Sequence, residues 1–330
     1  MHINKKILKN KKLIFVIMFL LFIYLNNTSI FTSPKDQSPL LLAHRGLAQT
    51  FSMENIDHNT CTAKRIYPPE HQYLENTLPS MQAAFDAGAD IVEFDVHLTK
   101  DQQFAVFHDW TLDCRTNGKG TTRDYTLAEL KRLDIGYGYT ADNGKTYPFR
   151  GKGIGLMPSL AEVLHSFPNR SFLIHIKSND PKEGEKLAQY LAKLPPTRLS
   201  QLAIYGGDEP IDALKKHLPQ MRVMSKATLK RCLIQYVALG WTGYIPNACK
   251  DTQLHIPHQI APILWGWPYK FQHRMEQANT RLVLVKGMGT DFSSGFDTVE
   301  DTKQLPEKFT GVIWTNRIDR IAPIFQSSHN

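Results

Sequence analysis

The 330-residue chain has four cysteines, and no two of them stand two to four residues apart. That absence disfavours a cysteine-built zinc site, whose ligands come at such short spacing. No glycine-rich turn follows the first strand-like run at Leu40 to Ala43, which leaves a dinucleotide-binding, doubly wound sheet as the second choice of fold. Internal repeats are lacking, and so is low-complexity sequence beyond the N-terminus; a solenoid is therefore not expected. Acidic residues are missing where the positive charge is densest. Of the net +8, five charges are Lys5, Lys6, Lys9, Lys11 and Lys12. Without them the remainder is +3, which gives little ground for a nucleic-acid partner.

What is present is an ordinary globular composition, 42% hydrophobic and 21% charged, in a chain long enough for one large α/β barrel or two smaller domains. The five lysines lead into an uncharged run from Leu13 to Leu25, followed by the polar stretch Asn26-Asn27-Thr28-Ser29. The layout is that of a secretory signal, shorter than a membrane span of roughly 20 residues. No small-x-small cleavage site follows, so an uncleaved anchor holding the body outside the membrane remains equally open. Flanking lysines argue against a buried core helix. The expected organisation is a leader or anchor with linker over residues 1–33 and a single body over 34–330, exported to a periplasmic or extracellular space. Export permits disulfides. Four cysteines allow three pairings, among which loop order favours Cys61 with Cys114, and spacing decides none.

Strand-like runs lie at Leu40 to Ala43, Ile91 to Val96, Phe104 to Phe107, Ser171 to Ile176, Leu202 to Tyr205, Arg222 to Met224, Arg281 to Val285 and Gly311 to Trp314. Between most of them sit helical patterns: Thr77 to Ala87, starts marked by the capping pairs Thr126/Glu129 and Ser159/Glu162, Pro181 to Leu194, Ile211 to His217, and Thr228 to Leu239. Residues 241–280 give no clear pattern. Eight strands alternating with helices predict a TIM (β/α)8 barrel. Residues 47–74 lack periodicity and read as a long surface excursion.

In such a barrel His44, Glu93, Asp95, His108 and His175 all fall near the C-terminal ends of the first four strands, where barrel enzymes keep their sites. Glu93 and Asp95, two apart on a strand, face the same way and can share a hard cation such as Mg²⁺ or Ca²⁺; the bland alternative is two acids facing solvent. His44 and His108 are candidate general acid and base, though in a chain with 13 histidines a lone one is usually just hydrogen-bonded. Arg45 can grip a phosphate bidentately, or make a surface ion pair. Lys177 shares a face with His175 and can balance phosphate charge. Glu75 can orient Arg45, join a metal shell, or simply sit at a helix cap.

His-Arg-Gly at 44–46, Glu-Asn-Thr at 75–77, Glu-x-Asp at 93–95, Thr-Lys-Asp at 99–101, His-Asp at 108–109, Pro-Ser-Leu at 158–160 and Gly-Val-Ile-Trp-Thr-Asn at 311–316 occur in that order. Together they resemble the glycerophosphodiester phosphodiesterase family over roughly residues 40–320. The resemblance implies a TIM barrel of the phospholipase C-like type that cleaves glycerophosphodiesters to glycerol 3-phosphate and an alcohol with one divalent metal. It implies His44 and His108 as catalytic, Glu93 and Asp95 as metal ligands and Arg45 as a phosphate contact. The small diester is the implied partner, with membrane contact only through an uncleaved N-terminal segment. One strand departs from the pattern: Glu-x-Lys, the source of a third metal carboxylate in the family, reads His175-Ile176-Lys177. Histidine in that place shifts the expected ion toward Mn²⁺ or Zn²⁺. The long gap before Glu75 is a second departure and bears on the substrate. Two rival functions follow: a phospholipase D-like enzyme on lysophospholipid or sphingolipid, to which Trp265-Gly266-Trp267-Pro268-Tyr269 would offer a lipid contact, and a non-catalytic surface barrel binding phosphorylated ligands.

Overall fold

The computed structural model describes residues 2–30, 37–57, 60–288 and 294–326, with side chains from residue 11 onward at the N-terminus. The expected boundary between residues 33 and 34 lies outside them.

Among these residues nine strands form one sheet: β1 (Leu40–His44), β2 (Ile91–Leu98), β3 (Phe104–Val106), β4 (Ser171–Ile176), β5 (Leu202–Gly206), β6 (Val223–Met224), β7 (Gln253–Pro257), β8 (Arg281–Val285) and β9 (Val312–Thr315). Eight of them run parallel in the order β6-β5-β4-β2-β1-β9-β8-β7, and the two ends meet through a parallel bridge between Val223 and Thr252. The result is a nearly closed (β/α)8 barrel, as predicted.

The membership of the eight differs from the sequence reading at two places. β3 pairs antiparallel with β2 and stands off the barrel. Its connector is too short for a helix, so the chain folds back through a tight turn in which Thr99 Oγ1 donates to the Gln103 carbonyl and accepts from the Gln103 N–H. The missing barrel strand is β7, inside the unpatterned stretch. Its buried face outward of the barrel is apolar, Leu254 and Ile256, but its inward face carries Gln253 and His255. A strand with polar residues on its inner face and proline at its end does not read as an apolar run.

Alternation sorts the side chains. Leu42, Ile91, Leu173, Ala203, Val283, Val312 and Trp314 fill the barrel interior, while Ala43, Val92, Phe172, Ile204, Leu284 and Ile313 pack outward under the helices. Short helices are set by their caps: Thr77 and Ser80 cap Leu78–Asp86, and Ser159 and Glu162 cap Leu160–Ser166. A second core gathers Ala63, Ile66, Leu74, Phe107, Leu112, Leu130, Ile135 and Met157. It joins the excursion before Glu75 to the segment between β3 and Leu160–Ser166, and the Cys61–Cys114 disulfide ties the two together. Cys232 and Cys249 form a second disulfide.

The N-terminal helix His2–Asn27 rests on the barrel by its last turn, where the side-chain amides of Asn26 and Asn27 donate to the Trp241 carbonyl and Arg274 donates to the Asn26 carbonyl. Most of Leu13 to Leu25 is exposed. Among the described residues no helix is long and apolar enough to cross a membrane. Trp265 and Trp267 pack half-buried against the main core.

Candidate active site

The C-terminal ends of β1, β2 and β4 converge on a small group of charges. β1 ends at His44, and Arg45 follows with φ of 59° and Gly46 with φ of 80°. The turn brings Gly46 against the helix Leu78–Asp86 so closely that a Cβ would stand 2.8 Å from the Ser80 carbonyl carbon. It also aims the Arg45 N–H at Glu93 Oε2, 3.2 Å away, and its guanidinium at Glu75 Oε1, 3.0 Å away, and Asp95 Oδ2, 3.4 Å away.

Glu93 and Asp95 are both wholly buried. Tyr205 Oη donates to Glu93 Oε1 at 2.7 Å. Asn76, itself at φ of 59°, donates its amide to Asp95 Oδ2 at 3.0 Å and accepts the Asp95 N–H. His175 Nδ1 lies 2.8 Å from Asp95 Oδ1, stacks on Tyr205, and has Lys177 Nζ as a neighbour at 3.5 Å from the same oxygen. Burial, then the Asp95 charge, pushes the Glu93 carboxyl upward. Asp95 goes the other way: burial opposes its charge, but Lys177, His108 and Arg45 hold it well below the usual range.

One ligand atom each from Glu93, Asp95 and His175 lie within 4.8 Å of one another. Two buried carboxylates, of which Glu93 resists ionisation despite Arg45 and Lys177 nearby, gain from a further positive charge, and two oxygens with an imidazole nitrogen are an accepted donor set for a divalent cation. The residues present therefore fit a metal. Glu75 does not join them. Both its oxygens are taken by guanidinium groups, Arg45 on one and Arg115 on the other at 3.1 Å; despite burial, Arg115 and Arg45 hold it at about 2. It stands in the arginine scaffold, the Arg45-orienting place expected for it, and outside the Glu93–Asp95–His175 group.

The two histidines are held in the same manner. His44 Nδ1 donates to Asn316 Oδ1 at 2.6 Å, leaving Nε2 to accept from Arg45 Nε at 3.1 Å. Asn316 in turn donates to Asp297 at 2.9 Å. His108 Nδ1 donates to Asp109 Oδ1 at 2.7 Å, and Arg115 donates to the other Asp109 oxygen at 2.8 Å. Each ring thus keeps its proton on Nδ1 and leaves Nε2 as the acceptor nitrogen. Burial, then Arg45, lowers His44 to about 3 and His108 well below its usual value; both are neutral bases at neutral pH.

Arg115, Asn316, Asp297 and Tyr205 escaped sequence reading. Arg115 stands beside a cysteine in an unpatterned loop, and nothing local marks it. Asn316 closes the Gly-Val-Ile-Trp-Thr-Asn motif, which by itself marks no role for it, whereas Tyr205 and Asp297 carry no sequence signal.

The sequence matches the Glycerophosphoryl diester phosphodiesterase family over residues 44–196, which holds every one of the eight candidates. Over that stretch, a little under half of its length, the chain is similar to the family. It is 39% identical over 133 residues to the glycerophosphodiester phosphodiesterase of Bacillus subtilis, a stretch that is 38% of this chain and 42% of that protein. Against lysophospholipase D GDPD1 of Homo sapiens it is 26% identical over 209 residues, 62% of this chain and 60% of the other. The chain thus covers less than half the length of the bacterial relative. The crystal structure of glycerophosphodiester phosphodiesterase from Agrobacterium tumefaciens superposes with a TM-score of 0.57 at 20% identity, over 87% of this chain and 99% of that one. That likeness shows the barrel fold.

Proposed function

We propose that the chain is a metal-dependent phosphoric diester hydrolase that cleaves glycerophosphodiesters to glycerol 3-phosphate and an alcohol. The observation that carries the reading is the pair of Nδ1-anchored histidines, His44 and His108, set around a buried Glu93–Asp95 pair. The name of the Bacillus subtilis relative supports the substrate class.

Arg45 and Lys177 supply fixed positive charge at the carboxylate pair and would bind the non-bridging phosphate oxygens. With both imidazoles neutral, one Nε2 takes the proton from the attacking hydroxyl or water. The other imidazole first takes a proton from solvent at Nε2 and passes it to the leaving oxygen, and the first ring then returns the proton it gained to solvent, so that both end the turnover neutral. Asp109 and Asn316 hold each ring's Nδ1 proton in place through the cycle. Glu93, Asp95 and His175 would hold the divalent cation, which when bound neutralises phosphate charge. A carboxylate pair alone suits Mg²⁺ or Ca²⁺, and His175 moves the preference toward Mn²⁺ or Zn²⁺.

The test is release of glycerol 3-phosphate from glycerophosphocholine and glycerophosphoethanolamine by the purified chain. It is run after chelation, then with Mg²⁺, Ca²⁺, Mn²⁺ and Zn²⁺ in turn, beside His44→Ala. Release that needs a metal and falls by about 10²–10⁴ in the variant supports the reading; hydrolysis confined to lysophospholipids would replace it with the activity for which the human relative is named.

The barrel is further proposed to work outside the cytoplasm. Two disulfides and an exposed apolar run beneath five lysines support that placement. Cell fractionation with a C-terminal tag decides it, and recovery in the reduced cytosol would refute it.

A further inference from the structure

The opposite end of the barrel carries a second concentration of positive charge. Arg281 opens β8 and Arg222 precedes β6, so both side chains enter the N-terminal mouth, about five residues of strand, roughly 13 Å, from the catalytic rim. With Leu40, Gln272, Thr310 and Val312 they line a cavity of about 260 Å³.

Two side-chain donors there lack acceptors. Arg281 Nη1 is buried and has no hydrogen-bond partner, and neither does Gln272 Nε2, on a residue 5% exposed. Gln272 Oε1 is already occupied by the N–H and hydroxyl of Thr310. Arg222 reaches Asn279 Oδ1 at 3.4 Å and the Ser200 carbonyl at 3.2 Å. Among the described residues neither guanidinium makes an ion pair. Asp251 acts on Arg222 from a distance, and Glu276, exposed at the cavity rim, has a partner of its own. Burial and then Arg222 lower Arg281 to about 10, which records two like charges crowded together. A buried charge with no counter-charge is costly, and proteins retain one chiefly where something else supplies the partner.

We infer that this N-terminal mouth binds a phosphate-sized oxyanion through Arg281, Arg222 and the Gln272 side-chain amide. Two guanidinium forks and an amide donor complement tetrahedral oxygens. The volume is below the roughly 300–1,000 Å³ of pockets that enclose drug-sized ligands, so the occupant is inorganic phosphate or a small phosphomonoester. The site is independent of the catalytic reading.

The experiment is thermal melting of the full chain, chelated, with inorganic phosphate or glycerol 3-phosphate replacing chloride at constant ionic strength. Wild type and Arg45→Ala should both rise by about 2 °C on saturation, because the second variant spares the lower mouth. Arg281→Gln and Arg222→Gln should lose the rise. In chloride alone Arg281→Gln should melt no lower than wild type, since it removes an unpartnered buried charge. Should Arg281→Gln fail to fold, Arg222→Gln decides. An equal response to both anions identifies the phosphate group alone as the ligand, and a larger one to the ester identifies the phosphomonoester. A rise that vanishes in Arg45→Ala but survives in both lower-mouth variants, or no rise in wild type, overturns the inference.

Discussion

At the scale of single residues, the site depends on a side chain that touches no substrate. Arg115 is 1% exposed and bridges Glu75, which holds Arg45, to Asp109, which holds His108. Arg115→Met takes from buried Glu75 one of its two guanidinium partners and from half-buried Asp109 its only one among the described residues, so a loss of about 3 kcal/mol in stability is expected by denaturant unfolding. Hydrolysis should fall at least about 10-fold in kcat with KM little changed, because the orientation of His108 is lost and not the phosphate grip. Arg115→Lys, which keeps the charge but not the fork, should recover stability more than rate. His175 sets a second expectation. His175→Glu gives the cluster a third carboxylate, and metal-activation curves should move toward Ca²⁺ and Mg²⁺ and away from Zn²⁺.

At the scale of elements, what was readable followed from periodicity. Strands with apolar inner and outer faces, such as Ile91–Leu98 and Ser171–Ile176, announce themselves, as do helices with capping pairs. β7 was hidden because its inner face is Gln253 and His255, and β3 was miscounted because only its hydrogen-bonded partner reveals that it turns back. The excursions are held chiefly by tertiary links. Closing a loop of 53 residues, the Cys61–Cys114 bridge should contribute about 4 kcal/mol by the chain-entropy estimate. Because Cys114 precedes Arg115 and Thr62, after Cys61, accepts from it at 2.7 Å, the double variant Cys61→Ser/Cys114→Ser should lose both stability and rate. Equilibrium unfolding and initial rates on the same preparation check this, and unchanged rates would separate the bridge from the site.

At the scale of the whole molecule, the histidines couple stability to pH. Burial first, then neighbouring positive groups, lowers His44 and His255 to about 3, His97 and His175 to about 4, and His108 well below its usual value. The unfolded chain protonates these rings near 6.5 and the folded one does not, so their contribution is complete above that pH and is lost as pH falls from 6.5 toward 4. Glu183, raised to about 7 by burial, and Glu93, raised by burial and then Asp95, act in the opposite sense, and five rings outweigh them. The melting temperature of the chelated protein should therefore drop between pH 7 and pH 5. His255→Gln should flatten the slope by about 1.4 kcal/mol per pH unit, one proton's worth.

The sequence by itself determined the family resemblance, the barrel, and which eight residues stand as candidates at one rim, because strand alternation and motif order are local properties that survive without coordinates. It also showed that His175 stands where a carboxylate is expected. Only the tertiary structure decided which carboxylates form the cluster, why Glu75 belongs to arginines instead, and how each histidine is anchored. Those outcomes rest on distances between residues as far apart as His44 and Asn316, or Glu75 and Arg115. Burial, which sets the sign of every shifted charge at both mouths of the barrel, exists only once the chain has closed around them.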